Sequence, residues 1–243
     1  MNSNNNENFV TSDETRIWTI QTGQGFPLLL CNGGPGCCDY LEPVAQMLEK
    51  MAKVVRFEQR GCGRSDADAS YDIETCLADL ETIRNYYNVD RWIVGGHSWG
   101  ADLALIYALE HSSRVSGLIC IAGGRMHDDR EWHAEYTRRN ADQGEYLPDF
   151  LYPTNRDVNK QVNASWKRYI KKPDLLSKIS KLRIPALFVY GDRDIRPSWP
   201  TEQIANLMPN ARFEMIRGAE HVIWSTHVSE LRSLLRDFVS QIS

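Results

Sequence analysis

A serine stands at the centre of the stretch Gly96-His97-Ser98-Trp99-Gly100, which has the form G-x-S-x-G. An apolar run precedes it and a helical pattern follows, which is the strand–turn–helix context that this motif requires of a nucleophile. The flanking glycines let other backbone pass close by, and the helix start offers N–H groups to a developing oxyanion. The structural alternative is a helix-capping serine. The motif predicts that Ser98 attacks a carbonyl carbon.

A serine nucleophile needs a base to take its proton and an acid to orient that base. In sites built on such a turn, the acid and then the histidine follow the serine along the chain. Asp194 and His221 each come a few residues after an apolar run with the character of a strand. Parallel strands end at one edge of a sheet, so Ser98 is predicted to meet both residues there. Asp192, in the same GDRD stretch, is the alternative acid and is expected to serve a turn.

The other histidines are weaker candidates for the base. His97 abuts the serine but is expected to point away from it. His227 fits the first turn of the last predicted helix, and His111 fits the end of the helix that follows the serine. His127 and His133 lie in a charged segment where they could touch a substrate.

An oxyanion hole needs a second N–H donor besides that of Trp99, the residue after the nucleophile. The stretch CNGGPGCC at 31–38 is a glycine-rich loop after an apolar run, where bare backbone could approach a substrate carbonyl. We predict Gly34 as the donor, with Gly33 as the alternative. The structural alternative is that this loop is an ordinary turn with no part in binding an oxyanion. A second glycine-rich stretch, GCGRS at 61–65, lacks the G-x-G-x-x-G spacing of a dinucleotide-binding loop.

Short apolar runs alternate with helical patterns along the chain, which predicts the elements that must position these residues. Strands are predicted within 16–23, 26–34, 53–65, 91–96, 115–124, 184–194 and 211–221, and helices at 73–89, 99–110, 201–208 and 227–242. The first strand alternates as an antiparallel strand does, and the later runs are continuous as in buried parallel strands. We predict an α/β fold with a mostly parallel twisted sheet and helices on both faces. The polar start, MNSNNNENF, is predicted to be a disordered lead-in.

One segment, residues 125–173, breaks this alternation and is rich in charged and aromatic side chains. Val158, Val162 and Trp166 in it follow helical spacing, which indicates an amphipathic helix. We predict that the segment is a short helical cap inserted after a central strand. The predicted core comprises residues 1–124 and 174–243.

Several of these stretches resemble the proline iminopeptidase branch of the α/β-hydrolase superfamily. NGGPG at 32–36 is similar to that branch's H-G-G-P-G, EQRGCGRS at 58–65 to D-Q-R-G-C-G-R-S, and GGHSWG at 95–100 to the G-G-S-W-G elbow. GDRD and GAEH resemble its acid and base loops. The resemblance implies an α/β-hydrolase fold and the release of N-terminal proline from peptides. It also implies site roles: Ser98, Asp194 and His221 as the triad, with Gly34 and Trp99 as the oxyanion hole.

The chain departs from that branch in its substrate-binding residues. These enzymes use cap carboxylates near a W-x-x-W-E pattern to hold the free amine of the substrate, and this chain lacks that pattern. The nearest candidates are Glu131 and Glu135, which share one face if their segment is helical, with Trp132 as an apolar wall for a pyrrolidine ring. We predict Glu135 as the amine anchor and Glu131 as its substitute. The alternative is that both pair with nearby arginines on a solvated helix. Asn32 and Glu58 replace the branch's His and Asp in the two glycine-rich loops.

The amino-acid composition limits the classes of partner that this chain can bind. Hydrophobic residues are 42%, charged residues 25% and the net charge is −4, which argues against binding to nucleic acid or to an anionic membrane surface. No apolar stretch approaches the roughly 20 residues of a membrane span, and the first residues lack the apolar core of a signal peptide. The six cysteines show no paired spacing, so reduced thiols in a cytoplasmic protein are expected.

The predicted chemistry requires no metal and no organic cofactor, and the expected partner is a small molecule or a short peptide. Besides an iminopeptidase, the residues allow a carboxylesterase or amidase acting on small acyl substrates. A ligand-sensing protein with slow turnover on the same fold is the alternative from another functional class. The residues leave the oligomeric state open.

Overall fold

A computed structural model describes residues 7–242, and eight strands in that part of the chain form one sheet. Its order is β1-β2-β4-β3-β5-β6-β7-β8, with β1–β2 and β2–β4 antiparallel and all later neighbours parallel. The mostly parallel sheet predicted from the sequence is therefore confirmed. The strands are β1 (Glu7–Ser12), β2 (Thr15–Gly23), β3 (Phe26–Cys31), β4 (Ala52–Phe57), β5 (Trp92–His97), β6 (Val115–Ile121), β7 (Ala186–Gly191) and β8 (Ala211–Ile216).

Helices cover both faces of the sheet, as predicted. They are α1 (Glu42–Leu48), α2 (Ile73–Tyr86), α3 (Trp99–Glu110), α4 (Arg130–Gln143), α5 (Arg156–Tyr169), α6 (Leu175–Lys181), α7 (Trp199–Leu207) and α8 (Val228–Ile242). Successive strand residues serve opposite faces: Leu29 and Cys31 of β3 join the core under α2 and α3, whereas Leu28 and Leu30 join the core under α1 and α8. None of the helices in residues 7–242 combines the length and apolarity that crossing a membrane requires.

The N-terminal strand corrects one sequence-based prediction. The lead-in was predicted to be disordered through Phe9, but residues 7–9 belong to β1, in which Phe9 pairs with Trp18 of β2. Main-chain hydrogen bonds to the neighbouring strand form this edge strand, and of its apolar side chains Val10 is buried while Phe9 is exposed. A polar edge strand of this kind lacks the apolar pattern that predicted the others. The rest of the predicted lead-in, residues 1–6, lies outside the described residues.

The segment 125–173, predicted as a cap, contains α4 and α5, which lie over the loops at the carboxyl ends of the strands. The Trp132 indole of α4 donates to the Pro197 carbonyl in the loop after β7, at 2.9 Å. Asn155, which caps α5, donates through its side chain to the Gly61 carbonyl after β4 and through its backbone to the Gly36 carbonyl after β3. The two helices thus bridge three loops at that edge of the sheet.

The start of α3 packs unusually close to the sheet. A Cβ atom added at Gly100 would lie 2.1 Å from the Cys31 carbonyl oxygen, and one at Gly96 would lie 2.2 Å from the Gly100 carbonyl oxygen. Both clashes are with backbone, which cannot rotate away as a side chain can. The two glycines of the G-x-S-x-G motif therefore allow α3 to begin directly against the ends of β3 and β5.

We expect Gly100→Ala to lower the free energy of unfolding by about 3 kcal/mol or more, because α3 must shift to admit the methyl group. Chemical denaturation monitored by circular dichroism measures the change. Gly95→Ala is the matched control: its Cβ would lie 3.1 Å from Ile119 Cβ and 3.3 Å from Leu30 Cδ2, contacts that small shifts relieve. Equal losses in both variants would contradict the backbone-contact explanation.

Candidate active site

Ser98 occupies a strained turn between β5 and α3. Its backbone dihedrals are φ 56° and ψ −126°, a region that residues with a side chain rarely adopt. Its amide donates to the Ile121 carbonyl at the end of β6, at 2.8 Å, which fixes the turn to the neighbouring strand. The half-buried side chain makes no capping hydrogen bond to α3, so the geometry does not support the alternative of a capping serine.

The loops after β7 and β8 bring Asp194 against His221. The Asp194 Oδ2 atom lies 2.6 Å from His221 Nδ1, and its other carboxylate oxygen accepts the Arg196 amide at 2.8 Å. The Asp194 side chain is fully buried, so this contact is shielded from water. Asp192 is exposed and accepts the Gly218 amide at 2.6 Å. Of the two acids considered from sequence, Asp194 is therefore the one that contacts the imidazole.

Ser98 and His221 themselves share no hydrogen bond in this structure. The link between their loops runs through His97, the residue before the serine. His97 Nε2 lies 3.0 Å from the His221 carbonyl oxygen, and the two rings are 4.6 Å apart between centroids. A carbonyl only accepts hydrogen bonds, so His97 carries its proton on Nε2. Nδ1 must then accept, and Tyr40 Oη donates to it at 2.7 Å.

Tyr40 extends this chain of hydrogen bonds to the glycine-rich loop after β3. Its hydroxyl oxygen accepts the Gly33 amide at 2.8 Å while it donates to His97. The loops after β3, β5 and β8 are therefore joined through one tyrosine and one histidine. Burial, together with the nearby His221, lowers the pKa of His97 well below its usual range, which keeps the ring neutral as this arrangement requires.

The loop after β3 also lies against the serine. A Cβ atom on Gly33 would be 2.8 Å from the Ser98 Cβ atom, so the backbone passes directly beside it. The Gly33 amide is committed to Tyr40, whereas the amides of Gly34 and Trp99 have no hydrogen-bond acceptor among residues 7–242. Of the two glycines considered for an oxyanion hole, Gly34 is the one with a free N–H group.

A cavity of about 90 Å³ opens beside Ser98. Its lining includes Trp99, Arg125, Trp132 and Arg196. His221 lines a separate cleft of about 340 Å³, together with Glu145, Tyr146 and Glu220 among others. The ion pair between Arg196 and Glu145 joins the linings of the two spaces.

The predicted amine anchors lie away from this cavity. Glu131 is exposed, and Glu135 forms ion pairs with Arg138 and Arg139 at 2.7 Å. Hydrogen bonds from the two arginines lower the pKa of Glu135 to about 2. Glu135 thus follows the alternative considered from sequence, pairing with arginines on a solvated helix. Trp132, the predicted apolar wall, does line the cavity.

This chain matches a known protein family. The model of the family described as alpha/beta hydrolase fold matches residues 27–165. The chain belongs to the α/β hydrolase fold family. As a member of that family it is a hydrolase.

This hydrolase is also similar to proline iminopeptidases. That of Lactobacillus delbrueckii subsp. lactis is 24% identical over an alignment covering 88% of this chain and 90% of the relative. Among solved structures, an esterase from Thermogutta terrifontis superposes with a TM-score of 0.80 at 19% identity, covering 97% of this chain and 98% of that one. The proline iminopeptidase of Mycobacterium smegmatis superposes with a TM-score of 0.74, also at 19% identity and with the same coverage. At these identities the structural likeness concerns the fold.

Four residues around the hydrolase site had no role assigned from sequence. No motif marks Tyr40, and His97 was expected only to point away from the serine. Arg125 and Arg196 reach the cavity because the loops after β6 and β7 fold toward it. A usable signal was present for Arg196, which lies two residues after Asp194 on a loop already assigned to the site.

We expect His97 to make the stability of this hydrolase sensitive to acid. The folded protein favours the neutral ring, whereas the unfolded chain takes up a proton near the ordinary histidine pKa of about 6.5, so stability falls as the pH drops below that value. Between about pH 8 and pH 5, the melting temperature of wild type should fall by about 2–4 °C more than that of His97→Gln. Scanning calorimetry across this range measures it. Parallel pH profiles for the two proteins would contradict the assignment.

Proposed function

We propose that this protein is a serine hydrolase that cleaves an ester or amide through an acyl-enzyme on Ser98, with His221 as base and Asp194 as the residue that orients it. The observation that carries the proposal is the 2.6 Å contact between Asp194 and His221 at the same sheet edge as a strained serine. Loops after three different strands supply these side chains. A buried carboxylate on Nδ1 leaves Nε2 of His221 as the atom to exchange a proton with the serine.

The proposed reaction begins when His221 Nε2 takes the Ser98 proton as the serine oxygen attacks the carbonyl carbon. The Gly34 and Trp99 amides, which lack acceptors among the described residues, stabilise the oxyanion. His221 then protonates the departing alcohol or amine, and water repeats the sequence on the acyl-enzyme. Ser98 and His221 must first come within hydrogen-bond distance, a contact that often forms only with substrate bound.

The cavity beside Ser98 favours small acyl substrates over prolyl peptides. An N-terminal proline would bring a cationic amine, whose burial without a partner would cost several kcal/mol. Two arginines line the cavity, and the lining carboxylate, Asp102, already accepts the Gly124 and Arg125 amides through one oxygen. Glu135 is occupied by its ion pairs. An esterase or amidase acting on short acyl groups fits this lining better.

Proline iminopeptidase activity is the second candidate, and the relatives favour it. The Lactobacillus relative aligns along nearly the whole chain, and the NGGPG and EQRGCGRS loops resemble those of that branch. For this candidate the substrate amine would need a carboxylate that approaches the cavity when substrate binds. Glu135 would have to exchange its arginine partners for the amine.

We expect Ser98→Ala to lower kcat for a short p-nitrophenyl ester on the order of 10⁶-fold without unfolding the protein. Asp194→Asn should lower it by about 10⁴-fold, because the imidazole loses the carboxylate that orients it. Stopped-flow and steady-state kinetics with p-nitrophenyl butyrate measure both losses, and far-UV circular dichroism verifies the fold.

Asp192→Asn is the matched control for the acid, since Asp192 lies in the same loop but bonds only a turn amide; its kcat should stay within about threefold of wild type. If Asp192→Asn were the inactive variant, the acid assignment would be wrong. If a fluorophosphonate labelled Ser98 but no ester or amide turned over, a ligand-sensing role would replace the proposed enzyme.

We expect proline p-nitroanilide to be cleaved less efficiently than p-nitrophenyl butyrate, and N-acetylation of the proline to change its kcat/KM less than about threefold, because the lining carboxylate, Asp102, already binds two backbone amides and shares the cavity with two arginines. Initial rates over a substrate series give these ratios. A strong preference for the free amine that disappears in Glu135→Gln, but persists in Glu131→Gln, would instead establish the iminopeptidase candidate.

A further inference from the structure

Arg125, beside the proposed nucleophile, is a cation that no carboxylate of the described residues contacts directly. It follows β6 and lines the same cavity as Ser98. Its guanidinium lies 4.0 Å from the ring centroid of Trp132 and 4.8 Å from that of Trp166, so two indoles hold it. No carboxylate of residues 7–242 lies within 4.0 Å of it, and its Nη1 atom is buried without a hydrogen-bond acceptor. A half-buried guanidinium of this kind keeps N–H donors that a ligand could use.

The second arginine of the cavity, Arg196, forms ion pairs within the protein. Arg196 Nη2 lies 2.5 Å from Glu145 Oε1, and its Nη1 lies 3.7 Å from Asp194 Oδ1. Its charge is therefore balanced by the protein itself. Asp102, which also lines the cavity, acts on Arg125 through its charge from beyond 4.0 Å, while its Oδ1 atom accepts the Arg125 backbone amide. Arg125 is therefore the guanidinium of this cavity that no carboxylate contacts directly.

Two other residues of the lining also hold N–H groups without an acceptor. The Trp99 Nε1 atom is buried without an acceptor, as is the Arg196 Nη1 atom apart from its long contact to Asp194. Both residues line the cavity with Arg125. Residues of the lining therefore hold buried N–H donors without acceptors, and a ligand group with several acceptor oxygens and a negative charge would suit them once these side chains turn toward it.

The position of the cavity identifies which half of a substrate carries that group. Ser98 and Trp99, which would bind the attacked carbonyl, line the cavity of Arg125. His221, which would protonate the leaving group, lines the separate cleft. The anion therefore belongs to the acyl half. A space of about 90 Å³ admits only a short chain between the carbonyl and the anion.

We propose that Arg125 binds a terminal carboxylate on the acyl group, so that the substrates are monoesters or monoamides of short dicarboxylic acids. The proposal rests on the serine hydrolase function proposed above and adds its substrate class. Hydrolysis breaks the acyl C–O or C–N bond. Water supplies the hydroxyl to the acyl carbon and the proton to the departing alcohol or amine, and a dicarboxylate is released. Planar guanidinium matches carboxylate in a two-point contact, which favours this anion.

The test compares p-nitrophenyl monoesters of glutaric and adipic acid with the same esters whose free carboxyl group is methylated. Wild type should prefer the free carboxylates in kcat/KM by about ten- to a hundredfold, the size of a hydrogen-bonded charge contact. Arg125→Met should lose that preference, which is judged within each variant as the ratio of kcat/KM for the free and the methylated ester. Arg125→Lys, which keeps the charge but not the planar fork, should retain part of it. Arg130→Met removes an exposed charge nearby and should leave the preference unchanged.

A binding measurement separates this proposal from the proposed function. In Ser98→Ala, glutarate should change the tryptophan fluorescence saturably, because Trp132 and Trp166 contact Arg125, and the additional Arg125→Lys change should weaken binding at least about tenfold. If wild type cleaves butyrate through Ser98 but shows no preference for free carboxylates, the Arg125 proposal is wrong and the hydrolase stands. If glutarate binds through Arg125 but no ester is cleaved, the hydrolase function fails instead. Unchanged preference or binding in the Arg125 variants also overturns the proposal.

Discussion

The close contact between the start of α3 and the end of β3 is the constraint on which the rest of this site depends. Gly100 sits so near the Cys31 carbonyl that only a hydrogen fits between the two backbones. With the helix fixed there, the residue joining it to β5 must adopt a positive φ, at a cost of about 1–3 kcal/mol. That residue is Ser98, and the strained turn presents its side chain at the edge of the sheet. Glycine at the same place would relieve the strain but carry no hydroxyl.

A series of buried hydrogen bonds also positions the loops of the site. It runs from the Gly33 amide through Tyr40 and His97 to the His221 carbonyl. Every donor in it has one acceptor, which fixes the tautomer of His97. Such fully satisfied networks specify one arrangement, because any shift leaves a buried polar group unpaired. The series joins the glycine-rich loop, the serine turn and the histidine loop. These three loops carry the groups that the proposed mechanism uses, so their relative positions are set by buried contacts rather than by the exposed segments.

The charged side chains above the sheet differ in whether the protein supplies them with an ion-pair partner. Glu135 of α4, the residue predicted from sequence as the amine anchor, is neutralised by Arg138 and Arg139 on the same helix. Arg196 is neutralised by Glu145 and Asp194. Arg125 contacts two aromatic faces and no carboxylate, and such faces attract a cation but cannot replace hydrogen-bond acceptors. This hydrolase therefore resembles the iminopeptidase branch in its loops, while the guanidinium of its cavity that lacks a direct ion pair is a cation, not the carboxylate that a substrate amine requires.

The sequence by itself determined a mostly parallel sheet without its N-terminal edge strand, helices on both faces and the strand–turn–helix setting of Ser98, because continuous apolar runs and glycine spacing act over a few residues. It also limited the acid to Asp192 or Asp194 and the donor to Gly33 or Gly34. Only the tertiary structure decided which acid meets the imidazole and which amide stays free, since both choices depend on contacts with distant loops. It likewise decided that residues 7–9 form an edge strand and that an arginine, not a glutamate, faces the cavity. Side-chain direction on the cap and pairing between loops arise from long-range packing, which local pattern does not encode.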